Sequence, residues 1–109
     1  MAKILWTLGY PRSEKEVKAL DQLYKVFPDG RVDIDDIIHP ADLIPKFNGV
    51  MDNGTYDYIV VRGWLVFSLA PRLMSQPELA KRVIIFDERT GELRQLVRIS
   101  VVAKPLRRR

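Results

Sequence analysis

Apolar and polar positions along this chain form two kinds of pattern, one typical of buried strands and the other of helices. Three short runs are apolar on both faces: 3–8, 56–62 and 83–86. Such runs are typical of strands that helices cover on both sides, as in parallel sheets. A fourth run, 31–35, alternates polar and apolar residues, which predicts a strand at a sheet edge with one exposed face.

Helical spacing occupies the segments between these runs. Ser13 and Glu16 form a capping-box pattern, and five apolar residues follow at helical spacing, which predicts a helix over 13–27. Pro40 begins only a short helix or turn, because Pro45 interrupts it. A further helix is expected over 65–74, with Pro71 in its first turn or at a kink.

The order of these elements predicts an α/β fold. We expect a small Rossmann-like open sheet that is mostly parallel, with right-handed crossovers and a C-terminal antiparallel hairpin within 92–102. The length suits a single domain. We expect that domain to span 1–104 and a basic tail to follow at 105–109.

Composition excludes several kinds of chemistry. The chain has no cysteine and a single histidine, His39, so we expect no disulfide, no metal site and no cofactor. No apolar run approaches the roughly 18 residues of a membrane span, and residues 1–4 lack a signal-peptide pattern. We therefore expect a cytoplasmic protein with no membrane partner. Few amide side chains among many charged ones are typical of a thermophilic source.

Charge is distributed unevenly along the chain. Residues 28–58 carry seven acidic and two basic side chains, whereas 82–109 carry eight basic and three acidic ones. This separation of acidic and basic residues suits a protein that binds a phosphate-bearing ligand at its basic end. Charged faces that simply contact water explain it equally well. Asp33, Asp35 and Asp36 lie near His39 in a pattern that oxygen-ligated metals use, but solvated edge residues are the better explanation.

The loops after the parallel strands contain the candidate site, because such sheets bind ligands outside the carboxyl ends of their strands. The first loop, 7–13, leads into a helix N-terminus whose free N–H groups attract anions. The second is Arg62-Gly63-Trp64, and the third is 87–89.

Several side chains of these loops suit a nucleotide. Arg12 and Arg62 offer guanidinium groups for phosphate oxygens, while Tyr10 and Trp64 offer ring faces on which a base can stack. Together they describe a nucleotide-sized site. Each of them also suits plain packing, pairing or turn formation, and Ser13 suits a helix cap.

A basic surface in the C-terminal part is the alternative site. It would bind phosphates of DNA or RNA, so nucleic acid is a possible partner, and a solubilising tail explains the same residues. The residues concerned are Arg94, Arg98, Lys104, Arg107, Arg108 and Arg109. A third hypothesis is a partner-binding protein of a virus or mobile element with no small ligand.

A resemblance to a known family rests on three segments, 3–13, 57–64 and 83–93, and on the β–α alternation, Arg62-Gly63-Trp64 after the central strand and the closing hairpin. On these features the chain resembles a small standalone member of the CRISPR-associated Rossmann fold (CARF) and ring-nuclease group. The resemblance implies a homodimer whose strand-end loops meet around a cyclic oligoadenylate, a second messenger of antiviral defence. Members of the group sense this ligand or cleave it without metal, by attack of a ribose 2′-hydroxyl. Binding alone and binding with cleavage both stay open.

The same resemblance assigns roles to residues of this sequence. It implies Arg62 and Ser13 as catalytic residues, with Ser68 or Arg72 reaching in from the helix after the second loop. The residues that would contact the ligand are Thr7, Gly9, Tyr10, Arg12, Gly63, Trp64 and Arg72.

Overall fold

A five-stranded, mostly parallel sheet forms the centre of the protein in the computed structural model, which describes residues 1–96. The strands are β1 (Lys3–Trp6), β2 (Arg31–Ile34), β3 (Tyr58–Arg62), β4 (Val83–Phe86) and β5 (Leu93–Gln95). Their spatial order is β2-β1-β3-β4-β5. The first four are parallel and β5 runs antiparallel to β4, so the predicted small Rossmann-like α/β fold with a closing hairpin is confirmed.

Three helices connect the parallel strands: α1 (Glu14–Val26), α2 (Pro40–Asn53) and α3 (Val66–Ser75). Short 3-10 turns precede and follow α3, at Gly63–Leu65 and Pro77–Arg82. None of the helices in the described part of the chain is long and apolar enough to cross a membrane.

The prediction that Pro45 would interrupt α2 is wrong, because α2 runs for 14 residues through it. Proline removes the hydrogen bond that its N–H would donate to the carbonyl of Ala41. Ala41 and Pro45 both face solvent, where water can satisfy that carbonyl. Buried Leu43 and Phe47 hold the opposite side of the helix against the sheet.

Pro71 likewise lies inside α3 rather than in its first turn. The carbonyl that it leaves without a donor belongs to Phe67, which is 78% exposed and therefore open to water.

The order of the strands decides which face of the sheet each helix covers, because the chain moves from β1 out to β2 and then crosses back to β3. Because β2 lies on one side of β1 and β3 on the other, right-handed crossovers place α1 opposite α2 and α3. The α1 face of the core contains Trp6 and Val60, and the other face contains Leu5 and Val61. Because the first four strands are parallel, they end at the same edge of the sheet, and the loops after them gather there. The expected tail at 105–109 lies outside the described residues.

Candidate functional site

Arg62 joins the three loops at the carboxyl edge of the sheet. Its Nη2 donates to the backbone oxygen of Leu8, at 3.2 Å, and its Nη1 lies 3.2 Å from Oε1 of Glu88. The side chain is only 22% exposed. One guanidinium therefore connects the loop after β1, the end of β3 and the loop after β4.

A pocket of about 360 Å³ lies between the loops after β3 and β4. This volume falls at the lower end of the roughly 300–1,000 Å³ that small-molecule sites occupy. The lining residues are Gly63, Trp64, Ile85, Asp87, Glu88, Arg89 and Arg94. We call this the strand-end pocket. Two of the predicted ligand-binding residues, Gly63 and Trp64, line it.

The strand-end pocket contains one cation that has no partner of opposite charge within the described part of the chain. The guanidinium of Arg89 is exposed and forms no ion pair or hydrogen bond with any residue of 1–96. Arg94, by contrast, lies 3.3 Å from Glu92 and 3.6 Å from Asp87. Arg89 can therefore meet an anion without first losing an ion pair.

The carboxylate of Asp87 forms part of the framework of the pocket. Its pKa is lowered, chiefly because its Oδ1 accepts a hydrogen bond from the backbone N–H of Arg89 at 3.0 Å. The nearby positive charges of Arg89 and, to a smaller extent, Arg94 lower it further. Asp87 is thus ionised near neutral pH and fixes the first turn of the loop.

The first loop lies at the same edge but contributes no residue to the pocket lining. Gly9 adopts a φ of +74°, and a Cβ there would lie 2.9 Å from Cγ of Asp36, so this position requires glycine. Tyr10 is 77% exposed. Arg12 is exposed and pairs with Asp36 at 3.2 Å. Gly9, Tyr10 and Arg12 therefore lie at the carboxyl edge of the sheet but outside the pocket lining.

The N-terminus of α1 is occupied by the chain's own side chains. The Oγ of Ser13 accepts from the N–H of Glu16 at 3.2 Å and donates to its carboxylate at 3.3 Å. That carboxylate also accepts from the N–H of Arg12, and Glu14 adds a second negative charge to the first turn. The predicted N-cap at Ser13 is confirmed, whereas the Glu16 carboxylate accepts from the N–H of Arg12 instead of completing the capping box at the N–H of Ser13. The expectation that this helix end attracts a ligand anion is not supported, because these carboxylates already take that place.

No family model, curated protein or solved structure matches the chain. The resemblance to the CARF and ring-nuclease group therefore stays a prediction.

Two of the predicted ligand contacts are directed away from the strand-end pocket. Thr7 is fully buried, and its Oγ1 donates to the backbone oxygen of Val60 at 2.6 Å, so it supports the sheet. Arg72 lies about 9 Å along α3 from the carboxyl edge. Its guanidinium is bound to Asn48 and pairs with Asp52 of α2 at 2.7 Å. The expected ligand contacts of Thr7 and Arg72 are thus corrected to packing and helix–helix pairing.

Ser68 lies in the first turn of α3 and is partly exposed. It forms no hydrogen bond with another residue of 1–96 through its side chain. Of the two residues proposed to reach in from α3, only Ser68 lies near the carboxyl edge.

The residues of the nucleic-acid hypothesis are described only in part. Arg94 lies on β5 and lines the strand-end pocket. The others, Arg98, Lys104, Arg107, Arg108 and Arg109, lie outside the described residues. The excess of basic residues in 82–109, on which the nucleic-acid hypothesis depends, does not by itself indicate that Arg94 lines this pocket.

The acidic residues around β2 are engaged in local pairs. Asp33 accepts hydrogen bonds from Tyr56 at 2.5 Å and from Arg31 at 3.0 Å, and Asp35 pairs with Lys46 at 2.8 Å. These contacts lower the pKa of both carboxyls. Within residues 1–96 no three histidine, aspartate or glutamate side chains converge as a metal ion would require.

A second pocket, of about 190 Å³, lies at the opposite end of the sheet, between α1 and the starts of β3 and β4. Among residues 1–96, those that line this pocket are all uncharged, and they include Phe27, Tyr58 and Leu93. Its chemistry suits apolar contact and not a phosphate. The strand-end pocket is therefore the candidate functional site.

Proposed function

We propose that this protein binds a cyclic oligoadenylate, or a closely related nucleotide, in the strand-end pocket. The observation that supports this proposal is the presence of Trp64 and Arg89 in the lining of one pocket. Trp64 is half exposed, so its ring can accept a stacked base. The guanidinium of Arg89, which has no ion-pair partner among residues 1–96, suits a phosphate oxygen. A nucleotide presents both of these groups close together.

Arg62 provides a second guanidinium next to the pocket. It now pairs with Glu88, at the loop that forms one pocket wall. A phosphate that entered between them would exchange this ion pair for a charge-assisted hydrogen bond of similar or greater strength. In the proposal, Arg62 and Arg89 contact phosphates while Trp64 stacks on a base.

Two copies of the chain would bind one cyclic ligand. The strand-end pocket is close to the lower size limit for a small-molecule site, whereas a cyclic oligoadenylate contains several nucleotides in a symmetric ring. A two-fold axis would bring two such pockets to one ring. Tyr10 and Phe67 are more than 75% exposed beside this edge, and a second copy would cover them.

Binding is favoured over cleavage by the state of Ser13. Its hydroxyl both donates and accepts within the α1 cap, so a contact between Ser13 and a scissile phosphate would cost hydrogen bonds that stabilise the start of the helix. Arg62 then has the role of a phosphate contact. Analysis of the titrated sample for linear products tests this part of the proposal.

Calorimetric titration with cyclic oligoadenylates of several ring sizes tests the function. We expect one ligand to bind per two chains. Trp64→Ala and Arg89→Ala should each weaken binding by about fivefold or more, because each removes a contact worth about 1–3 kcal/mol. Lys81→Ala, which removes one exposed positive charge at the opposite edge, is the control and should bind normally. No binding across the panel overturns the proposal.

A further inference from the structure

A lysine in the first turn of α1 holds the loop that forms one wall of the strand-end pocket. Nζ of Lys15 donates to the backbone oxygen of Arg89 at 3.0 Å and lies 3.5 Å from that of Glu88. Lys15 does not line the pocket itself. It contacts the backbone of two residues that do.

The location of Lys15 is unfavourable for a helix considered alone. The partial positive charge at a helix N-terminus favours acidic side chains, and Glu14 and Glu16 on either side follow this rule. A cation between them works against the helix dipole. The two loop carbonyls supply the compensating negative ends of dipoles and give Lys15 a function in this position.

Gly91 accommodates the aliphatic part of Lys15. Its φ is +75°, and a Cβ at this position would lie 3.0 Å from Cβ of Lys15. The side chain of Lys15 therefore crosses the loop directly against the glycine backbone. A larger residue at 91 would push the lysine and the loop apart.

The peptide groups of Arg89 are held from two sides. Its N–H donates to Oδ1 of Asp87, while its carbonyl accepts from Lys15. The N–H of Gly91 donates to the carbonyl of Asp87 at 2.7 Å and closes the turn. These contacts fix the backbone from which the side chain of Arg89 projects.

We infer that Lys15 is a positioning residue for the strand-end pocket: by holding the backbone of Glu88 and Arg89, it sets where their side chains line the pocket. It also couples α1, and with it the loop after β1, to the loop after β4. For ligand affinity, the inference rests on the proposed function. For the conformation of the loop, it rests on the contacts of Lys15 alone.

Amide hydrogen exchange tests the conformational part without any ligand. Lys15→Met keeps the aliphatic length and removes the ammonium group, and Lys15→Arg restores a cationic donor. We expect the amides of Arg89 and Gly91 to exchange about tenfold faster in Lys15→Met, because one charge-assisted hydrogen bond is lost. Lys15→Arg should return to near the wild-type rates. Lys18→Met, one helical turn away on the same helix, should leave them unchanged.

Buried amides of β3, such as that of Val61, provide the internal reference, because a general loss of stability would accelerate them as well. Unchanged exchange at Arg89 and Gly91 in Lys15→Met overturns the inference. Acceleration that is equally large at Val61 also overturns it, since Lys15 would then act on the whole fold.

Titration with cyclic tetraadenylate and cyclic hexaadenylate tests the functional part. For whichever ring the wild-type protein binds, Lys15→Met should weaken affinity about threefold to tenfold, and Lys15→Arg should recover most of it. Unchanged affinity in Lys15→Met overturns the link between the loop and the pocket. A wild-type protein that binds neither ring counts against the proposed function, and the exchange rates then decide the role of Lys15 by themselves.

Discussion

Glu88 and Arg62 form an ion pair, 3.2 Å between Oε1 and Nη1, across the gap between the loop after β4 and the end of β3. Arg62 is mostly buried in this arrangement, whereas Glu88 is 47% exposed. The carboxylate therefore occupies a position next to Arg62 where an anionic ligand would approach. In the proposed function, Glu88 competes with the ligand for the same guanidinium.

Replacing Glu88 with glutamine should strengthen the binding of a cyclic oligoadenylate. The change removes a negative charge from the pocket and frees Arg62 from its partner. Exposed ion pairs are worth up to about 1 kcal/mol, so we expect about a threefold gain in affinity, measured by calorimetry. Glu78→Gln makes the same charge change at the opposite edge and should have no effect. Weaker binding in Glu88→Gln would mean that Glu88 itself contacts the ligand.

The two tryptophans should report on different parts of the molecule. Trp6 is fully buried and its indole N–H donates to the backbone oxygen of Gly9, whereas Trp64 is half exposed in the pocket. Iodide should therefore quench only the part of the fluorescence that comes from Trp64, and Trp64→Phe should abolish that part. Bound ligand should protect Trp64 from iodide. Strong quenching that persists in Trp64→Phe would contradict the burial of Trp6.

Gly9 and Gly49 should respond to alanine in opposite directions. At Gly9 the φ of +74° and the contact with Asp36 make a Cβ unfavourable, so Gly9→Ala should lower the free energy of unfolding by about 1–3 kcal/mol. At Gly49, inside α2, a Cβ would meet no atom within 4 Å. Gly49→Ala should raise the free energy of unfolding by up to about 1 kcal/mol. Urea unfolding of both variants measures the contrast, and equal effects would contradict it.

The pattern of apolar residues was sufficient to predict the sheet. Val60 and Val61 are fully buried from opposite faces of β3, which is what an uninterrupted apolar run requires in a parallel sheet. The position of the strands also placed Arg62 and Trp64 at the carboxyl edge. Pattern alone could not predict α2, because its continuation through Pro45 depends on solvent reaching the carbonyl of Ala41.

The partners of charged side chains could not be predicted from sequence. Nothing in the sequence around Arg72 and Arg89 distinguishes their roles. Arg72 pairs with Asp52 between α3 and α2, whereas Arg89 lines the pocket and has no ion-pair partner among residues 1–96. This difference depends on which elements lie next to each other in space. The same applies to Lys15, whose contacts lie more than 70 positions away along the chain.

Tyr56 and Asp33 should make the stability of the fold depend on pH at both ends of the scale. The phenol hydroxyl donates to the carboxylate at 2.5 Å and lowers the pKa of Asp33 below its ordinary 3.8, and Arg31 lowers it further. The same hydrogen bond raises the pKa of Tyr56 above 10.0, because the neutral phenol is its donor.

The direction of each effect follows from proton binding. Below pH 3.8 the unfolded chain takes up the proton of Asp33 more readily than the folded chain, so this contribution to stability is present above that pH and is lost as pH falls through the lowered pKa. Above pH 10.0 the unfolded chain releases the proton of Tyr56 more readily. The second contribution is therefore present below that pH and is lost as pH rises through the raised pKa.

Tyr56→Phe should consequently lower the free energy of unfolding near neutral pH and flatten its fall on both sides. Some loss of stability at low pH should remain in the variant, because the pair of Asp35 with Lys46 also lowers a carboxyl pKa and is kept. Urea unfolding at pH values on both sides of 3.8 and 10.0 measures how the free energy of unfolding falls at each end of the range. Tyr24→Phe, at an exposed position on α1, is the matched control and should reproduce the wild-type profile. Stability curves of Tyr56→Phe and wild type that stay parallel across this range would show that the hydrogen bond between Tyr56 and Asp33 does not couple folding to pH.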